Sequence, residues 1–243
     1  MPAETAASER DIQILRETVA ASQGGDLERA FALAQAALAD GLTHPVFHRL
    51  RGLKHERQGD LEAAAADFRD ALADAPNDFA TLNALGACLA KLGRPGEALS
   101  ALDVALSLEP GFAPAHCHRG GALEALGQTE RAREAYEGAL QHDPGSIRAL
   151  GALALMAARR GDAPEARALA ARALELESGE PVAHLALGLA DLETGDVTAA
   201  ERRARTLLEN PALSPQDQGI ALTLLGDAVD GQDRAEEAFG AYE

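Results

Sequence analysis

Aromatic residues make up only 3 % of this chain, and none of its 243 residues is tryptophan. A core without large rings has to be filled by Leu and Ala, which suits helices that approach one another closely. Lysine is nearly missing too: Lys54 and Lys91 are the two present, every other cation is Arg, and the formal charge is −17. Such an acidic balance argues against a nucleic-acid backbone or an anionic membrane surface as partner. Cysteine is limited to Cys88 and Cys117, which share no paired-cysteine motif and no metal-ligand spacing. They read as small buried hydrophobes rather than disulfide halves or ligands. No apolar run approaches the ~20 residues that cross a bilayer, and the segment from Met1 to Glu9 lacks the hydrophobic stretch of a secretory signal. A cytoplasmic protein is expected. Phosphate-binding glycine loops are absent as well, and no strand pattern is present to hold one. The expectation is a chain without cofactor, without metal, and by itself without enzymatic activity.

What the chain has is a period. Gly59, Gly93, Gly127, Gly161 and Gly195 stand 34 residues apart without slippage. Ala64, Ala98, Ala132, Ala166 and Ala200 follow those glycines at a constant offset, and Pro76, Pro110 and Pro144 follow further on. A beat of this length, with small residues at fixed places, is the mark of stacked helix hairpins. The fold expected is an all-α right-handed superhelix, a solenoid of about seven helix-turn-helix units forming a single domain over 1–243. The units fall at about 11–44, 45–78, 79–112, 113–146, 147–180 and 181–214, with a partial one at 219–243.

Within a unit each choice has a mechanical reason. Gly52, Gly86, Gly120, Ala154 and Gly188 hold the eighth position, where a small residue lets the second helix lie close on the first. The periodic glycine ends the first helix, because it tolerates left-handed backbone geometry. Pro95 and Pro164 belong in the first turn of second helices, and Asp78 and Ser146 are the expected N-caps of the helices that follow them. The twenty-fourth position reads Phe68, Leu102, Tyr136, Ala170, Ala204, so packing is expected to thin toward the C-terminal half. The last helix would present Phe239 and Tyr242, and the chain reads as the N-terminal part of a longer protein. A dimer formed through that uncapped end is one open alternative.

The run Leu85-Gly86…Leu89…Gly93…Ala98…Leu102…Ala105-Leu106…Pro110 resembles the tetratricopeptide repeat family, and the likeness extends over essentially the whole chain. More narrowly, the Gly41–Pro45 connection, the segment Asn83–Gly127 and the closing Leu225-Gly226-Asp227…Glu237-Ala238-Phe239…Tyr242 resemble the N-terminal array of bacterial tetratricopeptide proteins with a C-terminal sulfotransferase domain. That resemblance implies a peptide- or protein-binding region attached to an enzyme whose catalytic motifs lie outside residues 1–243. A free-standing adaptor and a dimerisation module stay open beside it.

The family resemblance implies that first helices line a concave groove. On that basis the ligand-facing candidates are Arg49, Arg57, Asn83, Lys91, His118, Arg148 and Arg159. Leu50, Cys117 and Leu185 are expected on the same face. Arg57, Lys91 and Arg159 share the thirteenth position, a sparse basic line in an acidic protein; the expected ligand is an extended or helical peptide carrying an acidic group, and scattered surface charges without a ligand are the open alternative. The His116-Cys117-His118 cluster does not make a metal site, since helical residues two apart point about 200° away from each other. His48, His116 and His184 recur at the fourth position and read as packing residues.

Overall fold

A computed structural model describes residues 8–211 and 213–232, and all regular structure among them is helical. The helices pair as α1 (Glu9–Gln23) with α2 (Leu27–Ala39), α3 (Pro45–Arg57) with α4 (Leu61–Asp74), and α5 (Phe79–Lys91) with α6 (Pro95–Leu108). Then come α7 (Ala113–Ala125) and α8 (Thr129–His142), α9 (Ile147–Arg159) and α10 (Ala163–Leu176), α11 (Pro181–Glu193) and α12 (Val197–Leu208), and finally α13 (Pro215–Asp230). Contacts divide the chain into two compact units, Met1–Thr129 and Glu130–Glu243. The surfaces expected at Phe239 and Tyr242 lie outside the described residues.

From α3 to α11, every first helix begins at the residue the period marks. The last one departs from it: α13 starts at Pro215, ahead of the expected 219, because Ser214 caps it by accepting from the Asp217 N–H.

The period is built on one turn. After α3, Gly59 adopts a φ of 80°, and its N–H bonds the Glu56 carbonyl while the Asp60 N–H bonds the His55 carbonyl. This double closure needs a residue at ease in left-handed geometry. Asp60 then serves the next helix as well, its side chain accepting from the Ala63 N–H to cap α4. Asp26, Asp162 and Asp196 do the same for α2, α10 and α12. Arg94 takes the equivalent place before α6 without a side-chain cap. Asp78 caps α5 as expected, through the Ala80 and Thr81 N–H groups. Ser146 stands at the N-cap of α9 with extended backbone, but its side chain makes no capping hydrogen bond.

Small residues do hold the hairpins together. A Cβ on Gly52 would stand 2.7 Å from Phe68 Cε1, and one on Gly86 would stand 2.5 Å from Leu102 Cγ. Ala64, Ala98, Ala132, Ala166 and Ala200 are all fully buried. The expected thinning of the C-terminal packing does not occur. Ala204 is as buried as Phe68, because Leu224 from α13 moves in against Gly188, whose added Cβ would meet Leu224 Cδ2 at 2.4 Å. Leu224, Ala200, Ala204 and Ala228 form one buried cluster.

Candidate functional site

In the first compact unit, the first helices α5 and α7 pack on one another and α3 touches α5 lightly, while the second helices α4 and α6 barely meet. Tighter spacing on one side curves a stack toward that side, so the first helices line its inner face. Three of the expected ligand-facing residues, Arg49, Asn83 and His118, stand on these first helices. Asn83 on α5 and His118 on α7 are joined, with Oδ1 2.8 Å from Nδ1. Arg49 on α3 reaches only as far as 4.0 Å from Asp78 Oδ2, and that carboxylate is already accepting from α5 amides and from Thr81 Oγ1. Arg49 Nε is buried and has no hydrogen-bond partner among the described residues. A guanidinium cannot shed its proton, so that donor remains unsatisfied.

The basic line at the thirteenth position is largely occupied. Arg57 pairs with Glu28 at 3.1 Å and lies over the Phe31 ring at 5.4 Å. Lys91 pairs with Glu56 at 2.8 Å. Each cation therefore reaches back to the preceding hairpin and links successive repeats. In the second unit, Arg148 and Arg159 are exposed, with no ion pair among the described residues. Leu50, Cys117 and Leu185, expected in the groove, are interior instead at 1 %, 4 % and 0 % exposure. On α3, α7 and α11 these three side chains serve the core.

The fourth-position histidines are half-buried and have a more specific task than packing. His116 Nε2 lies 2.8 Å from the Pro110 carbonyl, and His184 Nε2 lies 3.0 Å from the Ser178 carbonyl. Each ties a first helix to the chain that leaves the preceding second helix. Cys88 and Cys117 are buried thiols, and Cys88 Sγ donates to the Leu61 carbonyl at 3.0 Å. Burial pushes the Cys88 thiol above its ordinary range, which disfavours the reactive thiolate.

Two buried carboxylates escaped the sequence reading. Asp67 receives Arg51 Nε at 2.9 Å and stands 3.0 Å from His55 Nδ1. That bond to Asp67 is the main reason the Arg51 guanidinium is held above its ordinary value. Asp191 is gripped by Arg167 at 2.7 Å and by Arg203 at 2.8 Å. Their signal was an Arg and an Asp placed to meet across a hairpin, but neither pair repeats with the period, so the period conceals both.

Comparison with known proteins agrees with this architecture. The tetratricopeptide repeat profile matches residues 49–113, 119–181 and 185–243. No curated protein matches the sequence. Among solved structures, the chain is similar to PilW, described as a widely conserved type IV pilus biogenesis factor, at 21 % identity and TM-score 0.68. The alignment covers 87 % of this chain and 98 % of that one. A tetratricopeptide repeat protein from Parabacteroides merdae aligns at 18 % identity and TM-score 0.66, over 94 % of this chain and 89 % of that one. YrrB, described as having an unusual peptide-binding site, aligns at 22 % identity and TM-score 0.55, over 70 % and 88 %. At these identities the likeness is one of fold, the all-α helix-hairpin array. The chain belongs to the tetratricopeptide repeat family.

Proposed function

We propose that this tetratricopeptide repeat chain is a binding scaffold whose first unit receives an acidic peptide segment on the face formed by α3, α5 and α7. The observation that carries the reading is Arg49, a cation whose Nε is buried and unpartnered, on the same inner face as the joined pair Asn83 and His118. Arg57 and Lys91 support the walls of that face through Glu28 and Glu56 rather than receiving the ligand. Arg148 and Arg159 would extend recognition along a longer peptide. In the same reading the setting is cytoplasmic, supported by two buried thiols at Cys88 and Cys117. Attachment to a sulfotransferase-like enzyme rests on the sequence resemblance alone.

Fluorescence anisotropy with acidic peptides and their neutralised counterparts tests the proposal. The parent chain should retain acidic peptides selectively, Arg49→Glu should lose them, and Arg57→Glu should lose little. Equal retention of both peptide classes by the parent and Arg49→Glu would end the reading. An intact mass well above 25.3 kDa for the native product would support the enzyme context.

A further inference from the structure

Within the first unit, α3 and α4 bring together a second set of polar groups. His48, Arg51 and His55 recur at three- and four-residue spacing on α3, and Asp67 and Asp70 stand three apart on α4, so both sets face the interhelical seam. His48 Nδ1, an Asp67 oxygen and an Asp70 oxygen all lie within 4.8 Å of one another. The Nδ1 atoms of His48 and His55 are both buried without a hydrogen-bond partner among the described residues. His48 Nδ1 is 3.7 Å from Asp70 Oδ2, and His55 Nδ1 is within ion-pair distance of Asp67 without completing a directed hydrogen bond. His48 Nδ1, buried and unbonded 3.7 Å from a carboxylate, calls for a further partner.

We propose that this seam binds a divalent first-row transition ion of the zinc and cobalt kind, held by His48 Nδ1, Asp67 and Asp70. Imidazole nitrogen with carboxylate oxygen suits such ions, whereas calcium and magnesium favour all-oxygen sets. Ligand atoms about 2 Å from a shared ion lie closer together than these do. Asp70, with 59 % of its side chain exposed, has the freedom to swing inward and also leaves the ion a path from solvent. His55 Nδ1 stands 3.0 Å from an Asp67 oxygen and would orient that carboxylate, as a group that fixes a ligand without binding the metal does. Arg51 already donates to both Asp67 oxygens and supplies the countercharge, so the ion would take a remaining lone pair of that carboxylate. Bound there, the ion would fasten α3 to α4.

The test uses the full chain, stripped with a chelator and titrated with cobalt(II) alone at an ionic strength of about 0.15 M, which screens loose binding to the acidic surface. The expected result is one equivalent taken up with visible absorption bands, a raised melting temperature, and displacement by zinc. Asp70→Asn and His48→Gln should each weaken cobalt binding about tenfold or more, while His142→Gln leaves it unchanged. Asp70 is exposed, so its substitution keeps the hairpin folded, which far-ultraviolet circular dichroism verifies. Failure of the parent chain to take up cobalt, or the same isotherm in Asp70→Asn and His48→Gln, overturns the proposal.

Discussion

In the α3–α4 hairpin the space beside Gly52 is filled by Phe68 from the same hairpin; in α11–α12 the space beside Gly188 is filled by Leu224, which arrives from α13. Both hairpins enclose a buried aspartate, but Asp67 comes from a second helix and Asp191 from a first. At this one position the α3–α4 pair fills its own gap, whereas α11–α12 borrows from the next repeat. An array of hairpins need not be equally cooperative throughout, since some contacts close within a unit and others only between units.

The largest effects should come from the two fillers. Phe68→Ala should cost about 3–5 kcal/mol and Leu224→Ala about 2–5 kcal/mol. A double-mutant cycle sharpens the contrast. Gly188→Ala alone forces a Cβ into Leu224 and should destabilise, yet in a Leu224→Ala background the same change should become nearly neutral or stabilising, because Ala favours helix over Gly by about 1 kcal/mol. Urea melts of the four proteins decide the matter. Strict additivity at Gly188 and Leu224 would break the comparison.

Where the hairpins are alike, their responses should be alike. Asp60 and Asp196 each cap a second helix through one N–H, at 3.1 Å to Ala63 and 3.0 Å to Ala199. Replacing either by Ala should cost about 1 kcal/mol. A shift of the urea midpoint in one variant but not the other would mean that the repeated turn is not energetically equivalent in the two units.

These examples also mark how far the residue pattern could be read. Helix starts at Pro45, Phe79, Ala113, Ile147 and Pro181, the left-handed Gly59 turn, the Asp78 cap and the buried alanines all recur at one offset, so the period announces them. Leu224, Asp67 and Asp191 do not recur, and their partners sit at other offsets; nothing in a repeat announces a contact made once. The same limit applied to the binding face. Arg49, Asn83 and His118 could be chosen by helical position, but the capture of Arg57 by Glu28 and of Lys91 by Glu56 depends on the distance between hairpins, which composition does not encode. The basic line therefore looked more available than it is.

The smallest expected effect compares how α3 and α11 begin. The N-cap of α3 is His44, whose Nδ1 accepts from the Val46 N–H, and that of α11 is Glu180, which accepts from the Ala183 N–H. Burial acts on both, in opposite directions. It lowers the His44 pKa below its ordinary 6.5, with Asp74 opposing, because desolvation disfavours the charged ring. It raises the Glu180 pKa above its ordinary 4.5; the Ala183 and Val182 amides oppose this, and Glu177 and Asp217 add to it. For His44 the stabilising contribution is complete above 6.5 and is lost as pH falls through the depressed folded value. For Glu180 it is complete below 4.5 and is lost as pH rises through the raised folded value. His44→Asn keeps an acceptor at the cap but removes the titration, so its stability relative to the parent should improve as pH drops below 6.5. Glu180→Gln should improve relative to the parent as pH climbs above 4.5, the reverse trend. Chemical melts of both variants across that interval should give stability differences of opposite slope. Parallel slopes would mean that burial does not govern the two caps, and that the two first helices begin under the same electrostatic terms after all.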